Sequence, residues 1–226
     1  MMEYLHLYEN LERGGAGDSV PRLTSQLLWE VATGNLPIAA VRHPLGFVCL
    51  PVLREGTRGI CVHLWTTRVA QAHPTTSAVH AHSWDLVSYV LFGQVRNEVM
   101  RVSGGRPAHQ GAGGATCRVF EVHSRGDLDE ISATSRLVRC HKGASQVSSA
   151  GQTYSVPAGT FHATDIPAGI ETATVALGTS RAGSADLSLG SIATPTHRVR
   201  RQQCDSEETS RVARMIAGRL AGRRSA

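Results

Sequence analysis

Long apolar runs are missing from this chain of 226 residues. No stretch approaches the ~18 uninterrupted apolar residues of a membrane span. Met1 to Arg13 carries Glu3, Glu9 and Glu12 where a secretory signal would place its apolar core. The sequence therefore predicts a soluble, cytoplasmic protein. Cysteine is sparse: Cys49, Cys61, Cys117, Cys140 and Cys204 form no CxxC pair, and one is left over however the others pair. That excludes zinc-finger spacing and fits a reducing cytosol better than a disulfide framework. Neither a phosphate-binding glycine loop, nor a Ser–His–Asp order, nor a nucleotide fingerprint, nor an internal repeat is evident. The glycines of Gly111 to Gly114 precede a β-like run rather than a helix, which argues against a phosphate cradle.

Net charge is missing outside one end. The eight arginines after His197 stand against Asp205, Glu207 and Glu208 and account for the whole net charge of +5, so the rest of the chain is balanced. A basic tail can touch phosphates, but a solvated helix face is the simpler reading, and nucleic acid is not an expected partner. A hydrophobic fraction of 41% with 18% charged residues places the chain among globular proteins of one domain.

Three segments follow from the pattern. In residues 1–44, Asp18 and Ser19 offer helix caps and Leu23, Leu27, Leu28 and Val31 recur at helical spacing before Gly34. This predicts a helical arm that covers one end of the main body. Residues 45–179 carry short β-type runs, such as Phe47 to Leu53, Gly59 to Thr66, Leu86 to Phe92 and Val95 to Val102, with turn residues between them. That texture predicts an all-β jelly-roll barrel. Ser103 to Thr116 and Ser124 to Ser135 read as loops within it. In residues 180–226, an extended stretch precedes a helix capped by Asp205 or Ser206. Its Val212, Met215, Ile216 and Leu220 form a stripe that docks on the barrel or on a second subunit, and the expected assembly is a homodimer.

The informative residues are histidines. In His80-Ala81-His82 the two imidazoles lie two residues apart and share one face of a strand. Such a pair supplies two nitrogen ligands suited to Fe, Zn, Ni or Cu. The run Gly151 to His162 reads G-x5-P-x-G-x2-H: a strand, a tight reversal, and a histidine at fixed distance beyond it.

Together these stretches resemble the cupin superfamily, whose motifs are G-x5-HxH-x3,4-E-x6-G and G-x5-P-x-G-x2-H-x3-N. The second motif matches at every defined position through His162, with Ile166 in place of its final Asn. The first matches at His80, His82 and Gly93, with Pro74 at its leading glycine and Leu86 or Val87 at its glutamate. The resemblance implies a cupin jelly-roll with one divalent metal ion held by His80, His82 and His162. Strand alternation points Asp85 away from the histidines; a bulge could instead re-aim it as a fourth ligand or as a partner of one.

A three-histidine cupin is similar to the thiol dioxygenases, which use non-haem Fe(II) with a substrate-anchoring arginine and a proton-handling tyrosine. The chain also looks like small bacterial cupins, some from natural-product pathways. No cysteine just after His82 matches a Cys–Tyr crosslink, and no tyrosine follows Tyr154. The candidate catalytic residues are Tyr154, His63 and Arg58. Tyr154 either puts its phenol near the metal or is a core aromatic. His63 either lines the cavity as an acid–base group or is a buried histidine with a backbone partner. Arg58, or Arg54 before it, either holds a substrate carboxylate or faces solvent. Arg96 and Glu98 share a face and could pair in the cavity or on the surface. Trp84 and Phe161 are expected to pack beside the ligands. The leading expectation is a metal-dependent oxidoreductase, dioxygenase-like, taking a small-molecule substrate and O2, with Fe(II) favoured over Zn or Ni. A redox-neutral Zn or Ni enzyme and a non-catalytic binding cupin are the alternatives.

Overall fold

A computed structural model of the chain describes residues 2–13, 19–104 and 114–222. Alternating apolar and polar residues form two antiparallel sheets, and the two chain ends form three helices against one of them. The first sheet runs β14–β1–β2–β3–β11–β5–β9. Its strands are β1 (Val41–His43), β2 (Phe47–Glu55), β3 (Arg58–Trp65), β5 (Trp84–Phe92), β9 (Thr153–Val156), β11 (Thr172–Ser180) and β14 (Gln202–Gln203). The second runs β13–β8–β6–β10–β4–β12–β7. It contains β4 (His80–Ala81), β6 (Gln94–Gly104), β7 (Ala115–Arg125), β8 (Leu128–Ser149), β10 (His162–Asp165), β12 (Asp186–Gly190) and β13 (His197–Arg200). Because β7 pairs with β8 as well as with β12, this second sheet closes on itself through β8, β6, β10, β4, β12 and β7.

Strand alternation sorts the side chains. On the first sheet, Leu50, Ile60, Val62, Leu64, Leu91, Val175 and Leu177 face outward into the main hydrophobic cluster. That cluster is completed by α1 (Met2–Glu12), α2 (Ser19–Thr33) and α3 (Ser206–Gly222). The expected amphipathic stripes are there: Leu23, Leu27, Leu28 and Val31 on α2, and Val212, Ile216 and Leu220 on α3, are all buried. Each such side chain contributes roughly 1.5–3 kcal/mol relative to exposure. Asp205 caps α3, its Oδ1 accepting from the Glu208 amide at 2.7 Å.

Three sequence expectations change here. The helical arm lies along a sheet face rather than over a barrel end, because that face offers the continuous apolar surface its stripe needs. Ser124 to Ser135 is a hairpin, not a loop: β7 turns tightly at Gly126 and Asp127 and returns as β8. Its alternation is masked because the buried face carries the polar Asp129 beside Ile131. Within the supposed extended stretch after Ser180, Asp186–Gly190 forms a strand between β4 and β7. Most of the glycine-rich stretch from Ser103 to Thr116, Gly111 to Gly113 included, lies outside the described residues.

Five of the C-terminal arginines form ion pairs within the chain. Arg198 pairs with Glu130, Arg200 with Asp127, Arg201 with Asp129, Arg211 with Glu208 and Arg219 with Glu171. Among the described residues no helix is long and apolar enough to cross a membrane.

Candidate metal centre

The chain passes from the second sheet to the first between β4 and β5, and His82 sits at that crossing. His80 on β4 is the direct partner of His162 on β10. Alternation sends His80 and His162 to the barrel interior, while their neighbours Ala81 and Phe161 enter the apolar cluster behind, with Val119, Val138 and Leu189. The backbone beside two of the ligands is thus anchored by apolar burial. Trp84 stacks on the His82 ring with centroids 4.1 Å apart.

One ring nitrogen from each of His80, His82 and His162 lies within 4.8 Å of the other two. The His80 and His162 rings are 4.3 Å apart between centroids. The Nδ1 of His80 is 2.9 Å from the Ala78 carbonyl and that of His162 is 3.0 Å from the Thr160 carbonyl. A carbonyl only accepts, so each Nδ1 carries the proton and each Nε2 keeps its lone pair. Burial, then the charge of His162, pushes His80 down to about 3. Burial, then its histidine neighbours, lowers His82, and burial lowers His162. Three neutral imidazoles with converging lone pairs fit a divalent cation; M–N bonds of about 2.0–2.1 Å need only a modest contraction.

The two motifs are stitched together by backbone hydrogen bonds. The Gly159 amide donates to the His82 carbonyl at 2.8 Å, and the Ala158 amide donates to Asp85 Oδ1 at 2.8 Å. The Pro157–Gly159 turn is therefore held against the His82–Asp85 segment, which fixes where His162 arrives. Asp85 also binds Arg181, whose Nε donates at 2.6 Å. The Ala158 amide and then Arg181 hold the Asp85 carboxyl below its usual value. Its oxygens are used on the turn and on Arg181, so Asp85 is a clamp outside the histidine group. Leu86, at the motif's glutamate position, packs with Val90, Tyr154 and Val156 in the apolar part of the interior.

Tyr154 points into this interior and is buried, and burial raises its phenol. Beside it stand Ser88 and Asn97. Asn97 Oδ1 accepts from Thr164 at 2.9 Å, and Thr164 shares a face of β10 with His162. A polar row thus runs from Tyr154 through Asn97 and Thr164 towards His162. Ser88 and Asn97 both interact with the Tyr154 phenol, and Thr174 Oγ1 is buried with no hydrogen-bond partner among the described residues.

His63 also faces inward, packed 4.5 Å from Phe47 between centroids and edge-on to Trp65. Arg58 is not brought to the histidines. It shares the outer face of β3 with Ile60, Val62 and Leu64, and its guanidinium lies 4.3 Å from the Tyr8 ring centroid on α1. Arg96 and Glu98 lie on the opposite face of β6 from the inward Asn97, and Glu98 pairs with Lys142. Sequence reasoning missed His43, whose ring stacks on Phe47 at 4.4 Å. It also missed that Cys49 and Cys61 converge on His63. The alternation of Phe47-Val48-Cys49 and Cys61-Val62-His63, with valines outward, was the available signal.

Two surface clefts lie elsewhere. One of about 420 Å³ is lined by Arg68, Glu171 and Arg219, and one of about 640 Å³ runs along β7 and β8 past His123 and Glu130. Neither includes a histidine of the triad.

Two antiparallel sheets with three inward imidazoles, drawn from an HxH pair and a Pro-x-Gly turn, define the class: a two-sheet antiparallel β fold with a group of side chains that could hold a metal ion. No family model and no curated protein sequence matches the chain. Among solved structures it is similar to an RmlC-like cupin from Shewanella frigidimarina at 14% identity and a TM-score of 0.35, covering 65% of this chain and 86% of that one. It is similar to hydroxypropylphosphonic acid epoxidase from S. wedmorenis at 9% identity and a TM-score of 0.34, covering 62% of this chain and 53% of that one. A structure of FeII HppE is 10% identical with a TM-score of 0.31, covering 58% of this chain and 49% of that one. These likenesses are distant and assign no role to this chain.

Proposed function

We propose that this chain is a non-haem Fe(II) oxygenase acting on a small polar metabolite, with the metal held by His80, His82 and His162. The observation that carries this reading is the donor set: three neutral imidazoles converge, while Asp85 is committed to the Ala158 amide and Arg181. When bound, a ferrous ion with three protein ligands supplies a redox centre with about three open positions, enough for a small substrate and dioxygen together.

The chain's own residues do the rest. The Ala78 and Thr160 carbonyls hold two of the imidazoles in the tautomer that donates through Nε2. Ser88, Asn97 and Tyr154 present hydroxyl and amide groups on one side of the interior, where a polar substrate is oriented. The Tyr154 phenol, kept protonated by burial, is a proton donor in that recess. Leu86, Val90 and Val156 exclude water beneath it.

Metal analysis of protein purified without added metal, followed by oxygen uptake on ferrous reconstitution with small polar metabolites, tests the reading. Iron-dependent uptake that disappears in His162→Ala supports it. Stoichiometric zinc with no uptake favours instead a redox-neutral cupin in which the cation is a Lewis acid.

A further inference from the structure

Across the barrel interior from the histidine triad, the first sheet carries a second group of metal-binding side chains. Cys49 on β2 is the direct register partner of His63 on β3, and Cys61 lies two residues before His63 on the same face. The two sulfurs and one His63 nitrogen all lie within 4.8 Å of one another. A tetrahedral zinc site with Zn–S of about 2.3 Å and Zn–N of about 2.0–2.1 Å needs donors about 3.5–3.8 Å apart, so the group is within about an ångström of closing. On the next strand Thr174, the register partner of His63, turns a buried and unpaired hydroxyl to the same interior. That hydroxyl is an independent sign that a polar ligand belongs there.

We infer that Cys49, Cys61 and His63 form a second cation site, with two sulfur donors and one nitrogen donor, that binds zinc and leaves one position for a non-protein ligand beside Thr174. Two thiolates and one imidazole are the donor softness that selects zinc over iron or magnesium. Each thiol gives up its proton to solvent on coordination, and no electron is transferred. Cys61 and His63 are half-buried and Cys49 is buried, so a cation entering the barrel interior meets this group from the open side. Phe47 and Trp65 pack against the His63 ring and hold it on the inner wall.

The test is zinc and cobalt(II) titration of the reduced, metal-stripped full chain under anaerobic conditions. Cobalt(II) held by thiolate gives a sulfur-to-metal charge-transfer absorption, and cobalt(II) held only by imidazole does not. The expected result is two equivalents bound, one with that absorption. Cys61→Ser, a near-isosteric change, should lose the absorption and one equivalent while keeping the other. His162→Ala should keep the absorption and lose the other equivalent, so failure of the triad and failure of this site are read separately. Circular dichroism confirms that each variant is folded, and Cys49→Ser provides a second thiol variant. The inference is overturned if no thiolate absorption appears in the wild-type chain, if it survives in both serine variants, or if the two thiols are recovered as a disulfide that excludes metal.

Discussion

At Gly159 the metal site depends on a backbone angle. Its φ is +75°, a region that costs a residue with a Cβ roughly 1–2 kcal/mol, although the space around it is open. Gly159→Ala is expected to destabilise the chain by about that much and to weaken metal binding, because the strained turn no longer fixes His162. Calorimetric metal titration beside a denaturant melt checks both; unchanged affinity with lowered stability would show that the turn does not position the ligand. His43 gives a pH prediction. Burial, then the charges of His63, His80 and Arg201, lower it well below 6.5. The unfolded chain therefore takes up its proton first, and the stability tied to the neutral ring is present above pH 6.5 and lost progressively below it. His43→Phe should flatten the fall in denaturation midpoint below pH 6.5. An unchanged acid limb would contradict the assignment.

Helix α3 depends on the barrel more than on its own propensity. Ile216 is fully buried between the helices and the first sheet, whereas Arg198 makes an exposed pair with Glu130. Ile216→Ala should cost about 2–5 kcal/mol, through lost transfer energy and the cavity left behind. Arg198→Ala should cost no more than about 1 kcal/mol. Chemical denaturation of the two variants side by side decides whether the C-terminal helix is part of the cooperative core. Equal, small losses would mean it frays independently. Strand β12 was hidden in sequence for a related reason: Asp186–Gly190 is too short for a periodic signal, and its place is set by pairing with β4 and β7.

For the whole molecule, metal binding is linked to folding. A cation that binds only the folded triad stabilises by about 2.7 kcal/mol at a hundredfold excess over its dissociation constant. Ferrous or zinc ion should therefore raise the unfolding midpoint of the wild-type chain, and His162→Ala should lose the part of that rise due to the triad. A full-size shift in His162→Ala would place the stabilising cation elsewhere, at Cys49, Cys61 and His63 first of all.

The histidine triad was legible through the resemblance to the cupin motifs: the HxH pair and the Pro-x-Gly turn are each local patterns, but only that resemblance joined His162 to His80 and His82. The helical stripes were legible because helical spacing is itself a local pattern. Alternation, however, says only that two residues share a face, never which face becomes the interior. Arg58 and His63 lie on one strand with opposite parity, and only the helices packed over Ile60, Val62 and Leu64 decided that Arg58 is outside and His63 inside. The meeting of Cys49 with Cys61 and His63, and of Tyr154 with Ser88 and Asn97, depends on strand register across the sheets. Register is set by long-range packing, which no local pattern in the chain records.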